Sequence, residues 1–227
     1  PPRAGERRGA LLLEGVPHDL LRGSAHAHAL WGPASFDLAG HLRRGDGELP
    51  NDGYDGGELD LRGEIDPTDS SRVGLLVRRN EAEIGLPFDF SNLPSPERRQ
   101  SFDSTTLALP ASWQGEKLSL EGSLARVESD VELADPNDPF AASTTAARRD
   151  ALRLVLRRTL EEFGWIAVGG EAERGRASSA SAFGPGLDDE RAESRALFTQ
   201  LGVARGRFSP EVGVRHDDHD AFGGATS

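Results

Sequence analysis

Residues 146–178 read AARRDALRLVLRRTLEEFGWIAVGGEAERGRAS, and this stretch sets the expectation for the fold. Leu152, Val155, Leu156, Leu160 and Phe163 recur at helical spacing and form one apolar stripe. Arg148, Arg149, Arg153, Arg157 and Arg158 supply a basic face opposite it. Gly164 is placed to stop that helix, since glycine accepts the left-handed conformation. A short apolar strand, Trp165 to Val168, follows. Gly169 and Gly170 then precede Arg174, Gly175 and Arg176. Glycines let a backbone approach a ligand closely, and arginines offer charge to phosphate. The combination suggests a chain that holds a nucleic-acid backbone.

Outward from this stretch, the rest of the chain alternates strands and turns. Arg8–Val16 and Arg72–Arg79 read as strands, and Glu58–Ile65 (ELDLRGEI) alternates polar and apolar residues as a half-buried strand does. Ala34–Arg44 reads as a short helix with Ser35 at its N-cap. His18–Trp31 reads as a loop or short helix, and 45–57 as a loop rich in Gly and Asp. Residues 80–100 are irregular, with prolines at 87, 94 and 96. Two strands, Thr105–Leu109 and Lys117–Val127, flank a turn. Residues 177–193 read as a mobile loop, and ESRALFTQLG as a helical piece. This order predicts an α+β chain of modified ferredoxin-like (RRM-like) plan, with helices on one face of an antiparallel sheet. It divides into a domain over 1–178, a flexible linker over 179–193 and a C-terminal extension, or partial second unit, over 194–227.

Composition narrows the function classes. The 227 residues carry 26 basic and 38 acidic side chains, a net charge of −12, which argues against indiscriminate nucleic-acid binding but leaves room for a local basic groove. Nearly all the basic residues are arginine; Lys117 is the one lysine. There is no cysteine, so disulfides and thiolate metal sites are excluded. No run of about 18 apolar residues marks a transmembrane helix. The apolar run Ala10–Leu13 is too short for a signal peptide. The missing initial methionine suggests a trimmed or processed chain. These features predict a cytoplasmic protein with no membrane partner.

The chain resembles the RAMP superfamily of CRISPR-associated proteins, in particular the backbone subunits of type III effector complexes. FGWIAVGGEAERGRAS looks like that family's helix followed by a glycine-rich loop. PASFDLAGHLRR is similar to its serine–glycine–leucine–arginine segment, through Ser35, Gly40, Leu42 and Arg43. TTLALPASWQGEKLSLEGSL and the tail VRHDDHDAFGGATS resemble two further segments, the tail with altered spacing and order. The resemblance implies a guide-RNA-binding subunit of an antiviral ribonucleoprotein complex, in which base pairing reads the target RNA and the protein reads backbone and shape. Its partners would be guide RNA, target RNA and other subunits. RNA contacts would fall on Ser35, His41, Arg43, Gly169, Gly170, Arg174, Gly175 and Arg176. A thumb over 82–105 would carry Arg98 and Arg99 near its base. Asp46, Asp52 and Asp55 would be the nearest candidates for metal-dependent endoribonuclease activity on target RNA.

Two other readings remain open. No cofactor is fixed by the residues, and a divalent metal ion is the one candidate. His216, Asp218 and His219 form the denser cluster for it. His26 and His28, with His18 and His41 nearby, form another, because alternate residues of a strand face one way. Gly/Ser-rich loops and acidity equally suit a structural assembly protein, such as a phage or secretion-machine component, without nucleic acid. Residues 169–175 are not a Walker loop, because no lysine follows the glycines as that motif requires. No motif places a histidine beside Ser112 or Ser178, so a hydrolase triad has no support.

Overall fold

The computed structural model describes residues 5–16, 20–89, 91–161, 164–203 and 208–227. Among the described residues twelve strands follow one another: β1 (Arg7–Val16), β2 (Leu20–Trp31), β3 (Ala34–Gly45), β4 (Tyr54–Thr68), β5 (Ser71–Gly85), β6 (Arg99–Gln114), β7 (Leu118–Ala134), β8 (Ser143–Thr159), β9 (Gly164–Ser181), β10 (Gly184–Val203), β11 (Glu211–His219) and β12 (Gly223–Thr226). Each pairs antiparallel with the next, so the sheet order is the chain order. No α-helix occurs among the described residues. The α+β ferredoxin-like expectation is therefore overturned, and with it the RAMP resemblance, which required a long helix and a following loop. The helix is β8 and the loop is β9; Phe163 and Glu162 lie outside the described residues.

The reason is a periodicity that fits two templates. In ALRLVLR, Leu152, Leu154 and Leu156 alternate with Ala151, Arg153 and Val155. Leu152 and Leu156 also lie four apart, which satisfies a helix. Pairing decides: Leu152, Leu154 and Leu156 face Leu124, Gly122 and Leu120 of β7, one same-face row after another. Gly164 does need its freedom, at φ 121°, because a Cβ there would fall 2.0 Å from the Gly202 carbonyl oxygen. It opens β9 rather than closing a helix. Ala34–Arg44 and the segment before Trp31 likewise form β3 and β2. Residues 179–193, the expected linker, run from the end of β9 into β10.

Residues directly opposite one another share a face, so register sorts the side chains into two sets. One set is apolar, with rows such as Leu38, Leu61, Val77 and Leu107 and, beyond them, Leu109, Leu124 and Leu152. The other set carries most of the ion-paired residues, with a few apolar ones such as Leu76, Val155 and Phe198 among them. Among the described residues apolar side chains do not meet in an interior: the buried hydrophobic residues are Ala141, Ala167 and Ala196, and no large side chain is fully buried. A water-soluble chain of this length would bury most of its leucines. Here Leu124 is 54% and Leu154 49% exposed.

The meander places the connections after β2, β4 and β6 at one end, where they are short: 32–33, 69–70 and 115–117. The opposite end carries the longer loops 46–53, 86–98 and 135–142. These loops pack on one another around polar groups. Asn51, at φ 60°, donates through Nδ2 to the carbonyls of Leu86, Ser95 and Arg98 at 3.0, 2.8 and 2.8 Å. Asn51→Ala removes that donor and keeps an awkward left-handed conformation. It should cost about 1 kcal/mol and raise amide exchange across 86–98 severalfold, with the strands unaffected.

Asp135 is buried in the same assembly and accepts from Ser95 Oγ at 2.7 Å and from the Asn137 N–H at 3.0 Å. The Ser95 hydroxyl foremost, against the opposing cost of burial and helped by the Asn137 N–H and the Arg98 charge, holds its carboxyl below the usual carboxylate range. A lowered folded-state pKa stabilises above the ordinary carboxylate pKa, and the benefit is lost as pH falls through the folded value. Limited proteolysis of 86–98 should therefore stay slow at neutral pH and accelerate in acid below that range. Ser95→Ala should move the onset to higher pH.

Candidate functional site

The apolar face is a band. At its short-turn edge stand Trp31, 81% exposed, and Trp113, 42% exposed. Inward from that edge each strand from β3 to β9 contributes outward apolar residues, among them Leu38, Leu59, Leu75, Leu109, Leu120, Leu154 and Val168. Toward the long-loop end the same face turns ionic, with Arg44–Asp55 at 3.7 Å, Arg79–Asp103 at 2.8 Å, Arg126–Asp150 at 2.5 Å and Arg174–Glu193 at 3.0 Å. Strands reach well past the band: β10 has 20 residues, while about 9–11 tilted residues cross a bilayer core.

The polar face is laced by ion pairs between strands. Arg78 meets Asp60 at 2.5 Å and Glu58 at 3.4 Å, and Arg149 meets Glu173 at 2.5 Å. Arg215 reaches across β10 to Glu171 at 2.9 Å and also holds Asp217 at 2.8 Å. Between Arg215 and Arg153 lies the Phe198 ring, about 6.0 Å from each guanidinium. Trp165, unlike the other two tryptophans, is on this face, with Arg157 4.1 Å above its ring.

The expected site residues do not converge. Ser35, His41 and Arg43 share the polar face of β3. Gly169 and Gly175 face the polar side of β9, but Gly170, Arg174 and Arg176 face the other, as alternation requires. Gly169 is covered by Phe198, whose Cζ would be 2.2 Å from a Cβ there. Arg98 is buried in the loop assembly and donates to the Phe88 carbonyl at 2.9 Å. Arg99 opens β6 and pairs with Glu83. The expected thumb, 82–105, is the end of β5, a loop that includes the undescribed Phe90, and the start of β6.

Two of the three acidic candidates, Asp52 and Asp55, make contacts that hold the local structure. Asp46 lies in the loop after β3. Asp52 Oδ2 accepts from the backbone of Glu48 and Leu49 at 3.0 and 2.8 Å, closing that loop. Asp55 pairs with Arg44 on the apolar face. His216 and Asp218 face one way on β11 and His219 the other. His26 and His28 do share a face, and His28 Nδ1 is hydrogen-bonded to Asp37 Oδ1 at 2.7 Å. His18 lies outside the described residues. No group of three or more His, Asp or Glu among the described residues is arranged to hold a metal ion.

Sequence reasoning reads the alternation in ELDLRGEI but misses that it continues from strand to strand and divides the whole sheet into two faces.

No protein-family model matches the chain, and no curated protein resembles it in sequence. Solved structures do match its fold. The siderophore receptor PiuA from Acinetobacter baumannii superposes with TM-score 0.73 at 10% identity, over 100% of this chain and 45% of that one. The siderophore receptor PirA from Pseudomonas aeruginosa gives 0.75 at 15% identity, over 99% and 40%. The copper transporter OprC gives 0.72 at 16% identity, over 96% and 38%. The chain thus spans less than half the length of these proteins. Their shared architecture is the wall of an outer-membrane β-barrel. The likeness overturns the expectations of a CRISPR guide-RNA subunit, of RNA partners and of a cytoplasmic setting, and gives no support to a phage or secretion-machine role.

Proposed function

We propose that this chain forms part of the wall of an outer-membrane transport barrel of the kind that takes up metal ions or their chelates. One observation carries the reading: a band of leucines, valines and alanines on one face, edged by Trp31 and Trp113, with ion-paired polar residues on the other. Only a closed sheet of strands or a helix satisfies every backbone group in lipid, and lipid-facing residues then alternate with lumen-facing ones. The apolar band lies in the hydrocarbon layer. The tryptophans sit at one interface, as aromatic girdles do. The short turns mark the periplasmic side, and the charged strand ends with loops 46–53, 86–98 and 135–142 project outward. The ion-paired face lines the lumen, past which a charged solute would travel.

Flotation tests the reading. The full chain, diluted from denaturant into phosphatidylcholine vesicles, should rise with the lipid in a density gradient and resist carbonate extraction. A chain that stays in the aqueous layers as a folded monomer would contradict it.

A further inference from the structure

The long-loop end of the polar face holds a concavity of about 460 Å³, within the roughly 300–1,000 Å³ range of ligand sites. Its floor is a row of small residues between larger ones. Arg43 of β3 stands opposite Gly56 of β4, Gly56 opposite Ala82 of β5, and Ala82 opposite Phe102 of β6. Tyr54, on the same face of β4 and nearer the loops, leans back over this floor: a Cβ on Gly56 would lie 2.6 Å from its hydroxyl oxygen. The Arg43 guanidinium is 5.2 Å from the centre of the Tyr54 ring. Phe102 is 38% exposed, although this face meets water. Two aromatic side chains thus leave apolar surface uncovered beside a floor of glycine and alanine.

The next row supplies polar groups, with His41, Glu58 and Asn80 opposite one another. Among the described residues the His41 and Asn80 side chains and the Tyr54 hydroxyl make no hydrogen bond. Charge around the concavity is balanced. Arg22, Arg43 and Arg78 stand against Glu14, Glu58 and Asp60, and Arg78 meets Asp60 at 2.5 Å and Glu58 at 3.4 Å. Glu81 also borders it, but its register, opposite Gly57, belongs to the other face. A carboxylate or phosphate would gain from the arginines and be repelled by the glutamates, and a cation would meet the reverse. A hydroxyl group suits both, because it accepts from a guanidinium or amide and donates to a carboxylate. The C–H face of a sugar ring, in turn, covers the electron-rich face of an aromatic ring.

We propose that this concavity binds a small neutral saccharide. The assignment rests on the reading of that face as a lumen and adds an uncharged solute to those that reach it. The sugar lies over Gly56 and Ala82, with its C–H face against Phe102 and Tyr54. Its hydroxyls accept from Arg43 and Asn80 and donate to Glu58.

Tyr54 is the one tyrosine of the chain, so its ring reports on the site without assignment. The test is nuclear magnetic resonance of the full chain, isotope-labelled at tyrosine, in micelles of lauryldimethylamine oxide, a detergent without a sugar headgroup. Maltotriose, cellotriose and mannotriose are the probes, with tricarballylate as the anionic control. At least one trisaccharide should shift the ring signal saturably at millimolar concentration, and tricarballylate should not. Phe102→Leu and Asn80→Leu should each weaken that binding tenfold or more. Ser123→Ala, on the same face of β7 and outside the concavity, should leave it unchanged. No shift with any trisaccharide, tighter binding of tricarballylate, or equal losses in all three variants would overturn the site. Flotation of the same preparation separates the two proposals. A chain that floats but responds to no trisaccharide refutes the site and leaves the barrel reading standing. A chain that binds with this dependence on Phe102 and Asn80 but does not float refutes the lumen reading and not the site.

Discussion

Leu124→Arg should destabilise the chain in a lipid bilayer by about 2–4 kcal/mol, while Ala125→Arg, one residue on, should change stability by less than about 1 kcal/mol. Leu124 sits in the row Leu109, Leu124, Leu152 in the apolar band and is 54% exposed to whatever medium covers that face. An arginine there enters hydrocarbon with its charge uncompensated. Ala125 points the other way, between Ala108 of β6 and Ala151 of β8, where a long side chain has room and water. Urea unfolding in vesicles, followed by tryptophan fluorescence, reads the difference. In a water-soluble protein the order would reverse. A half-exposed leucine replaced by arginine would be neutral or favourable, so equal or inverted effects would remove the lipid-facing role of the band.

Gly169→Val carries the second large effect, a loss of about 1–3 kcal/mol from overpacking. The Phe198 ring lies over Gly169, and the new Cβ would be 2.2 Å from Phe198 Cζ and 2.9 Å from the Leu154 carbonyl oxygen. The ring must leave its place between Arg153 and Arg215, so the Glu171–Arg215–Asp217 contacts loosen with it. Gly175→Val, on the same face of the same strand, meets only the Ala192 carbonyl at 3.8 Å and should be tolerated. The thermal midpoint in micelles distinguishes them. The pattern recurs at Trp165 over Gly202 and at Phe36 beside Gly63. An aromatic ring covering a cross-strand glycine thus pins register at several places along the sheet.

Part of this fold is legible in the amino-acid sequence alone. Glu58–Ile65 reads as a strand because its apolar residues alternate, Arg72–Arg79 and Lys117–Val127 read as strands beside it, and each lies within a strand of the sheet or overlaps one. Residues 146–163 do not, because Ala, Leu, Arg and Glu are strong helix formers and LRLVL fits both periods. The cross-strand rows that decide between them come from residues far away in sequence. HAHALW and ASFDLAGHLRR mislead for a related reason: small residues such as Ala25, Ala27 and Gly40 sit on the apolar face beside leucines and dilute the alternation. Burial adds a bias of its own. A window judged by whether it can be buried favours a helix on a sheet, but among the described residues of this chain the large apolar side chains stay exposed on one face of the sheet. The same bias hides the candidate site. His41 and Arg43 stand out as residue types, yet their placement opposite Ser24 and Arg22 depends on the register of β2 with β3.

The measurement that tests the central claim most directly is quenching of single-tryptophan variants by brominated lipids. Three proteins are needed, each keeping one of Trp31, Trp113 and Trp165 and carrying phenylalanine at the other two. Bromine in the upper acyl chain should quench Trp31 and Trp113 strongly, since both stand at the edge of the apolar band. It should leave Trp165 nearly unchanged, because Arg157 covers its ring on the opposite face. Equal quenching of all three, or none of any, would contradict a sheet that turns one face to lipid and the other to a lumen.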